Sequence, residues 1–512
     1  MSLRYLPAAL LAALAAPALL AEPSPLVTAP TGFARAQAAS AVHWQSWNDA
    51  TLTRARESGR SVYVFVGTPL SELTRATISQ TFTSAKTVAW LNDNFFCIFV
   101  DADAQPEVAA YAQHFINSVK QLRGLPVHLW LTPELQPYDG ANYLPPSEEW
   151  GKPGFLKAAR GALDAWAIEP ARARALATEA MSLMRVRPLD LGPKPDVKAP
   201  LDRAVTAWIG AIDPVHGGFG TAPKNPEPEL IRFLLSRGEA ARAAALNAAR
   251  ALVAGGGRDS VDGGFYRRAI DEEWKEPYYQ KTLTDQARIA FALLEAADAA
   301  KDDRLRAAAF GALDFALKEL RNPDGTFAAA LDGTLEENAD PARRPNFARV
   351  GTATSGAQGL LIAALQRTGE KRFISVAAQL AEKLRGELAA SGYALAHITG
   401  LPSGATAADY TAVALAFRAL KDDAVADRLL ARANSLFFDA ASGTYLASTA
   451  KLPPGIALRA PLSGDALSAE VLALLAGADE KTAGQVRRNL LGLIEYDEQP
   501  PGDVLLGLAS AR

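Results

Sequence analysis

Residues Val261 to Ile289, VDGGFYRRAIDEEWKEPYYQKTLTDQARI, crowd a Gly-Gly turn, five aromatics and a mixed run of acids and bases into one short stretch. The aromatics are Phe265, Tyr266, Trp274, Tyr278 and Tyr279. Aromatic faces suit the C–H faces of sugars, and carboxylates accept hydrogen bonds from hydroxyls. An aromatic-lined helix entrance with paired ionisable groups is one way to build a sugar- or peptide-sized pocket. Lys281 and Asp285 are four residues apart, so on a helix they share a face, and the expected ion pair keeps Asp285 ionised. The plainer alternative is a solvated helix face beside an aromatic hinge, since exposed ion pairs are common.

The element that must position these groups is a helix over 277–299, with Pro277 in the first turn and Leu283, Ala287 and Ala290 on its apolar face. Helical periodicity dominates everything beyond Pro200. Further helices are expected at about 201–212, 227–237, 240–254, 303–320, 355–368, 371–388, 406–419, 423–437, 465–476, 480–494 and 502–511. A turn with Gly just ahead of an aromatic recurs between some of them, at Phe219, Phe265, Phe327, Tyr393 and Tyr445. Glycine permits the tight turn and the aromatic can plug the end of a helical hairpin. Irregular repeats of two helices each suggest a toroid or solenoid, and six hairpins fit twelve helices.

The first half differs. From about 40 to 168, strands at Ser61–Val66, Phe95–Val100 and Val127–Leu131 alternate with helices at Asp49–Glu57, Ser71–Gln80, Ser84–Leu91 and Pro106–Lys120. Tyr138–Tyr143 reads as a hairpin partner strand and Phe155–Trp166 as a closing helix, giving an α/β unit with a mixed sheet. Residues 169–200 form a helix and a Pro-rich linker, and 201–512 the helical domain. Residues 1–21 have the basic, apolar and small-residue segments of an export signal, with Ala16-Pro17-Ala18 as a cleavage pattern. The expected location is periplasmic or secreted, with no membrane segment after cleavage.

Composition excludes more than it suggests. A net charge of −3 from 53 basic and 56 acidic residues, with no basic stripe, gives no case for nucleic acid. There is no glycine-rich phosphate loop, and His43, His114, His128, His216 and His397 lack metal-ligand spacing, so neither cofactor nor metal is expected. Cys97, the single cysteine, lies in the apolar run FFCIFV and reads as a buried thiol. No sequence feature fixes the oligomeric state.

The strand and helix order of 40–168 is that of thioredoxin. "VHWQSWNDATLTRARESGRSVYVFVG", "GLPVHLWLTPELQPYDGANYLPP", "GGFGTAPKNPEP" and "DGGFYRRAIDEEWKEPYYQKTLTDQA" resemble segments of the spermatogenesis-associated protein 20-like family. That resemblance implies a thioredoxin-like domain joined to an (α/α)6 barrel, the six-hairpin glycosidase-like toroid. It places Pro126 at the cis-proline of the thioredoxin fold. Where the family carries Cys-x-x-Cys, this chain has Ser71-Glu72-Leu73-Thr74, and neither hydroxyl can perform thiol–disulfide exchange. Ser71 reads as a helix N-cap, and the domain as redox-inactive. In the barrel, Phe265, Asp271, Trp274, Lys281, Asp285, Gln286, Lys224, Asp409 and Tyr410 keep the family pattern, while Tyr278 and Gln280 replace its histidine and glutamate.

Three functions compete on this basis. The first is an exported, redox-inactive protein whose barrel binds a glycan or peptide-like ligand through Phe265, Trp274, Tyr278, Lys281, Asp285, Asp409 and Tyr410. Here Trp274 and Tyr278 would be aromatic platforms, and Asp285 and Asp409 polar anchors. The second is a carbohydrate-active enzyme, hydrolase or epimerase-like, using two of Asp271, Asp285 and Asp409 at the separation a glycosidase needs, about 5–10 Å. The third is a scaffold that docks a protein partner in the groove beside Pro126.

Overall fold

The computed structural model describes residues 24–184, 196–334, 346–401, 403–439, 444–449 and, beyond these, 452, 458, 488, 490–492, 494 and 499–510. The expected export signal, most of the linker and nearly all of the helices expected at 465–476 and 480–494 lie outside the described residues.

After a short helix α1 (Gly32–Ala36), the first unit runs β1 (Gln45–Ser46), α2 (Asp49–Ser58), β2 (Val62–Gly67), α3 (Glu72–Ala76), α4 (Ala85–Asn94) and β3 (Phe96–Asp101). It continues with α5 (Pro106–Lys120), β4 (Val127–Leu131), β5 (Pro137–Ala141), α6 (Phe155–Ile168) and α7 (Pro170–Leu183). The sheet order is β1-β3-β2-β4-β5, with β2 parallel to β3 and antiparallel to β4. Every residue of β2 and β4 is buried, which explains their continuous apolar sequence: both sheet faces are covered. The Leu125–Pro126 bond is cis, and Ser71 caps α3 by accepting the Thr74 N–H at 3.2 Å. The thioredoxin-like fold expected from the sequence is present. One boundary differs: the helix expected over Ser71–Gln80 gives way after Ala76 to a wider π-type turn, Thr77–Thr81.

The second unit is built of helical hairpins. Outer helices α8 (Lys198–Gly210), α10 (Glu239–Ala254), α12 (Asp303–Glu319), α14 (Lys371–Ala390) and α16 (Asp423–Phe437) alternate with inner ones. The inner helices are α9 (Pro228–Leu235), α11 (Leu283–Ala300), α13 (Ser355–Arg367), α15 (Ala407–Ala419) and α17 (Gly502–Ser510). In α13, Ala357 to Leu365 are all buried, as an inner position requires. The inner helices α9, α11, α13 and α15 pack side by side in turn, and α17 packs on α9, in the arrangement of an α/α toroid. Gly502 permits that last contact, because a Cβ there would lie 2.3 Å from the Leu230 backbone nitrogen.

The recurrent Gly-aromatic turns close the hairpins through a repeated set of bonds. Lys224 Nζ donates to Asp213 Oδ2 (2.5 Å) and the Gly217 carbonyl (2.8 Å); Lys281 Nζ donates to Asp259 Oδ2 (2.6 Å) and the Gly263 carbonyl (2.9 Å). Gln286 clamps the Phe265 backbone with an N–H accepted at 2.7 Å and an amide donated at 2.7 Å, and Gln358 treats Phe327 the same way at 2.9 and 2.9 Å. These buried polar groups hold the turns.

Strands also appear where helical periodicity predicted none. Gln280–Thr282 is a strand (β6), paired antiparallel with β7 (Ala330–Thr334), which pairs in turn with β8 (Asn346–Val350). A short hairpin, β9 (Phe438–Asp439) with β10 (Thr444–Tyr445), lies further on. The helix expected from Pro277 therefore begins at Leu283, where Thr282 caps it by accepting the Asp285 N–H at 3.0 Å. Non-local pairing with β7 overrides the local helical pattern.

Candidate functional site

The inner-helix N-termini carry acids, as helix starts generally do. At three of them those acids converge. Glu227 and Glu229 come from the start of α9, Asp285 and Arg288 from the first turns of α11, and Asp503 from the start of α17. Arg288 grips Glu229 through two bonds, Nε to Oε1 at 2.6 Å and Nη2 to Oε2 at 2.5 Å. Burial, then the neighbouring carboxylate of Glu229, raises the pKa of both Glu227 and Asp503, while Arg288 opposes the rise in each. Asp503 is 5% exposed, yet among the described residues its Oδ2 has no hydrogen-bond partner, and neither has Asp285 Oδ2. Orphaned buried carboxylate oxygens are costly and mark a place where a donor from outside belongs. Glu227, Asp285 and Arg288 are partly exposed, so the cluster reaches solvent.

The sequence-expected residues divide into those that hold the fold and those that face this end of the toroid. Phe265 is fully buried in its turn. Trp274 is 2% exposed and wedged against three glycines: a Cβ on Gly255 would lie 2.5 Å from the Trp274 Cβ, one on Gly256 equally close to its carbonyl, and one on Gly218 2.8 Å from the indole ring. Its indole N–H donates to the Gly217 carbonyl at 3.3 Å. Lys281 is 1% exposed and paired with Asp259, whose carboxyl it draws down to about 2 against the effect of burial. The expected Lys281–Asp285 pair does not form, because Lys281 lies in β6 rather than on the helix. Asp271 accepts the backbone N–H groups of Glu273, Lys275 and Glu276 in an exposed loop, which lowers its pKa although desolvation works the other way. Tyr410 donates to the Tyr393 carbonyl at 3.3 Å and accepts the Leu395 N–H at 2.9 Å.

Asp409 is spoken for as well. Its carboxylate accepts from Thr406 in a capping box, from the Gly356 N–H at 3.0 Å and from His397 Nδ1 at 2.7 Å. Burial alone would lower the His397 pKa; the Asp409 carboxylate overcomes that and lifts it to about 9. His397 Nε2 reaches the Asp103 carbonyl at 3.0 Å, a bond between the two units.

Two more bonds cross the same seam. Arg75 of α3 pairs with Asp332 of β7 at 2.5 Å, and Gln280 Nε2 donates to the Leu70 carbonyl at 2.8 Å. Tyr278 lies here too, partly exposed under the Arg268 guanidinium and within the fields of Asp332, Glu72 and Arg75. Leu70, Ser71 and Asp103 follow the C-terminal ends of β2 and β3, so the edge that carries Ser71-x-x-Thr74 is docked on the toroid. Ser71 Oγ donates to the Leu125 carbonyl at 3.0 Å, and Thr74 is fully buried beneath Gly67. Cys97 is 3% exposed, and burial pushes its thiol up to about 12. Among the described residues no group of three or more His, Cys, Asp or Glu is placed to hold a metal ion, and no helix is long and apolar enough to cross a membrane.

A thioredoxin-like unit docked on a helical toroid is thus the class of protein that fold and seam define. Residues 23–185 match a thioredoxin-like family described as "Protein of unknown function, DUF255". The chain is 26% identical to spermatogenesis-associated protein 20 of Mus musculus over 304 residues, which is 57% of this chain and 38% of that protein. With the Homo sapiens protein it shares 26% over 325 residues, 60% of this chain and 41% of the other. The chain therefore resembles the spermatogenesis-associated protein 20 group, as its motifs imply, and spans about 40% of the length of these relatives. Among solved structures it is similar to a cellobiose 2-epimerase from Spirochaeta thermophila (TM-score 0.46, 18% identity, covering 62% of this chain and 95% of the other). It is also similar to a GH76 α-mannanase from Bacteroides thetaiotaomicron (TM-score 0.43, 10% identity, 63% and 96%).

Glu227, Glu229, Arg288 and Asp503 were not singled out by sequence reasoning. They lie up to 276 positions apart, from 227 to 503. The available signal was an acid in the first turn of successive inner helices, which is also what any helix start favours.

Proposed function

We propose that this chain is an exported, redox-inactive protein whose toroid binds a glycan- or peptide-like ligand at the end faced by Glu227, Asp285, Arg288 and Asp503. The observation that carries this reading is the pair of orphaned carboxylate oxygens, Asp285 Oδ2 and Asp503 Oδ2. Hydroxyl or amine donors of a polar ligand would satisfy both. Tyr278, at the seam, is the one aromatic of the expected set that is partly exposed, since Phe265, Trp274 and Tyr410 are buried. The thioredoxin-like unit acts as a cover: the Leu70 carbonyl and Arg75 are engaged by the toroid, which disfavours a partner-docking role for that edge. Redox inactivity follows from the hydroxyls at Ser71 and Thr74 and from the depth of Cys97.

A catalytic variant of the same site is favoured by one observation, the raised pKa of Glu227 and Asp503. A carboxyl that keeps its proton to higher pH is better suited to give it to a leaving oxygen, as hydrolases of sugars require.

A panel of neutral, acidic and basic glycans and peptides titrated against wild type and Asp285→Asn tests the binding reading. At least one class should bind wild type and lose roughly tenfold or more in affinity in Asp285→Asn, the effect expected for losing a charged hydrogen-bond partner. Circular dichroism should be unchanged, and insulin reduction by the same protein should stay at the uncatalysed rate. Equal binding by both proteins would move the site elsewhere.

A further inference from the structure

We infer that the ligand of this site carries a primary ammonium group; the inference rests on the binding reading above. It follows from charge balance and from which atoms are already bonded. Four carboxyl groups, Glu227, Glu229, Asp285 and Asp503, meet one guanidinium. That guanidinium is committed. Arg288 turns its Nε–Nη2 edge to Glu229 in a bidentate bond, and the pair behaves as a neutral unit set into the wall.

Among the described residues, Glu227, Asp285 and Asp503 are left without a dedicated cation. Their placement near the positive ends of α9, α11 and α17 offsets part of the charge, since each helix start carries about half an elementary charge. It does not supply hydrogen bonds to the outward oxygens. Asp285 Oδ2 and Asp503 Oδ2 come from different helices, and both are buried and unpartnered among the described residues. Asp503 is held tightly in place, because Gly502 lets the start of α17 touch the Leu230 backbone.

A neutral hydroxyl would satisfy one oxygen and leave the excess negative charge in place. An ammonium group offers three donors in a compact tetrahedron together with a positive charge, and so answers both deficits at once. A metal ion would answer the charge too, but it needs three or more ligands at short range, and the described residues present no such group. An acetylated amine keeps the shape and loses the charge, so it distinguishes the two requirements cleanly.

Two sources can present such an ammonium: an amino sugar with a free amine, and a lysine side chain in a peptide. The experiment runs both arms by isothermal titration on the full chain. One arm uses a glucosamine tetrasaccharide and its fully N-acetylated counterpart. The other uses a lysine-centred tripeptide with blocked ends and its Nε-acetyl counterpart. A neutral glucose tetrasaccharide is the common control. The free amine of one arm should bind roughly tenfold or more tighter than its acetylated partner, as expected of a charge-assisted bond in a partly buried site. Asp503→Asn should remove most of that difference while leaving the affinity for the acetylated form within about threefold. Glu227→Gln, at a partly exposed position, should reduce it in the same direction if Asp503→Asn proves poorly folded.

Equal affinity for free and acetylated probes, with both weakened by Asp285→Asn, would overturn the ammonium inference and leave the binding site standing. Binding of the neutral tetrasaccharide alone would do the same. No binding in any arm, with none in the wider panel, would remove the site and this inference together.

Discussion

Replacing Lys281 with methionine is expected to destabilise the toroid by about 3–5 kcal/mol, the usual cost of leaving one member of a buried ion pair without the other. The ammonium is 1% exposed and Asp259 is 5% exposed at its side chain. In the variant, the Asp259 carboxylate keeps the Val261 N–H, at 2.8 Å, and the Tyr266 hydroxyl, at 3.1 Å, but loses its counter-charge. The Gly263 carbonyl loses a donor as well. Lys281 also lies over the rings of Tyr266 and Phe315 at 4.8 and 4.5 Å, contacts that methionine replaces only in part. The double variant Asp259→Leu with Lys281→Met should recover much of the loss, because an apolar pair needs no counter-charge. Urea unfolding of the three proteins measures this. Wild-type stability in Lys281→Met would return Lys281 to the candidate ligand contacts.

The second large effect concerns the seam. His397 has its pKa raised to about 9, with burial opposing and Asp409 prevailing. A folded-state pKa above the unfolded value near 6.5 gives stability that is full below about pH 6.5, declines above it and is gone once pH passes about 9. Asp409 is depressed instead, again against burial, so its share is present above its unfolded value of 3.8 and is lost as pH falls through the depressed one. Since His397 also bonds the Asp103 carbonyl, docking of the thioredoxin-like unit should weaken between pH 7 and 9. Limited proteolysis across that range should show increasing cleavage between the units in wild type. His397→Ala should be cleaved at every pH, with stability lower by roughly 2–4 kcal/mol. A flat profile in wild type would mean that Arg75–Asp332 and Gln280–Leu70 hold the seam alone.

The seam explains why some features were legible in the sequence and others were not. The inner helices announce themselves because they are apolar nearly all round, and the Gly-aromatic turns because glycine and a bulky ring have few other reasons to recur together. Ser71 has the position and residue type of a helix cap, and it caps α3. The stretch Pro277 to Thr282 misled for a definable reason. Gln280, Lys281 and Thr282 have no strand-like alternation, and their partner strand lies about 50 residues on, at Ala330 to Asp332. Once Lys281 moves from helix to strand, its partner changes from Asp285 to Asp259. The same move strips Asp285 of the expected cation and leaves its Oδ2 unpartnered. Trp274 has the composition of a sugar platform, but glycines at 218, 255, 256 and 257 make the space that buries it. Those contacts are between segments distant in sequence.

The ligand is expected at the starts of α9, α11 and α17. Hydrogen–deuterium exchange of the full chain, with and without the tightest-binding probe of the glycan and peptide panel at saturation, tests that location. Added protection is predicted in peptides covering 227–234, 283–290 and 502–507, with little change at 71–76 and 124–128. Protection confined to 71–76 and 124–128, with the toroid peptides unchanged, would contradict the account and place the ligand in the groove beside Pro126.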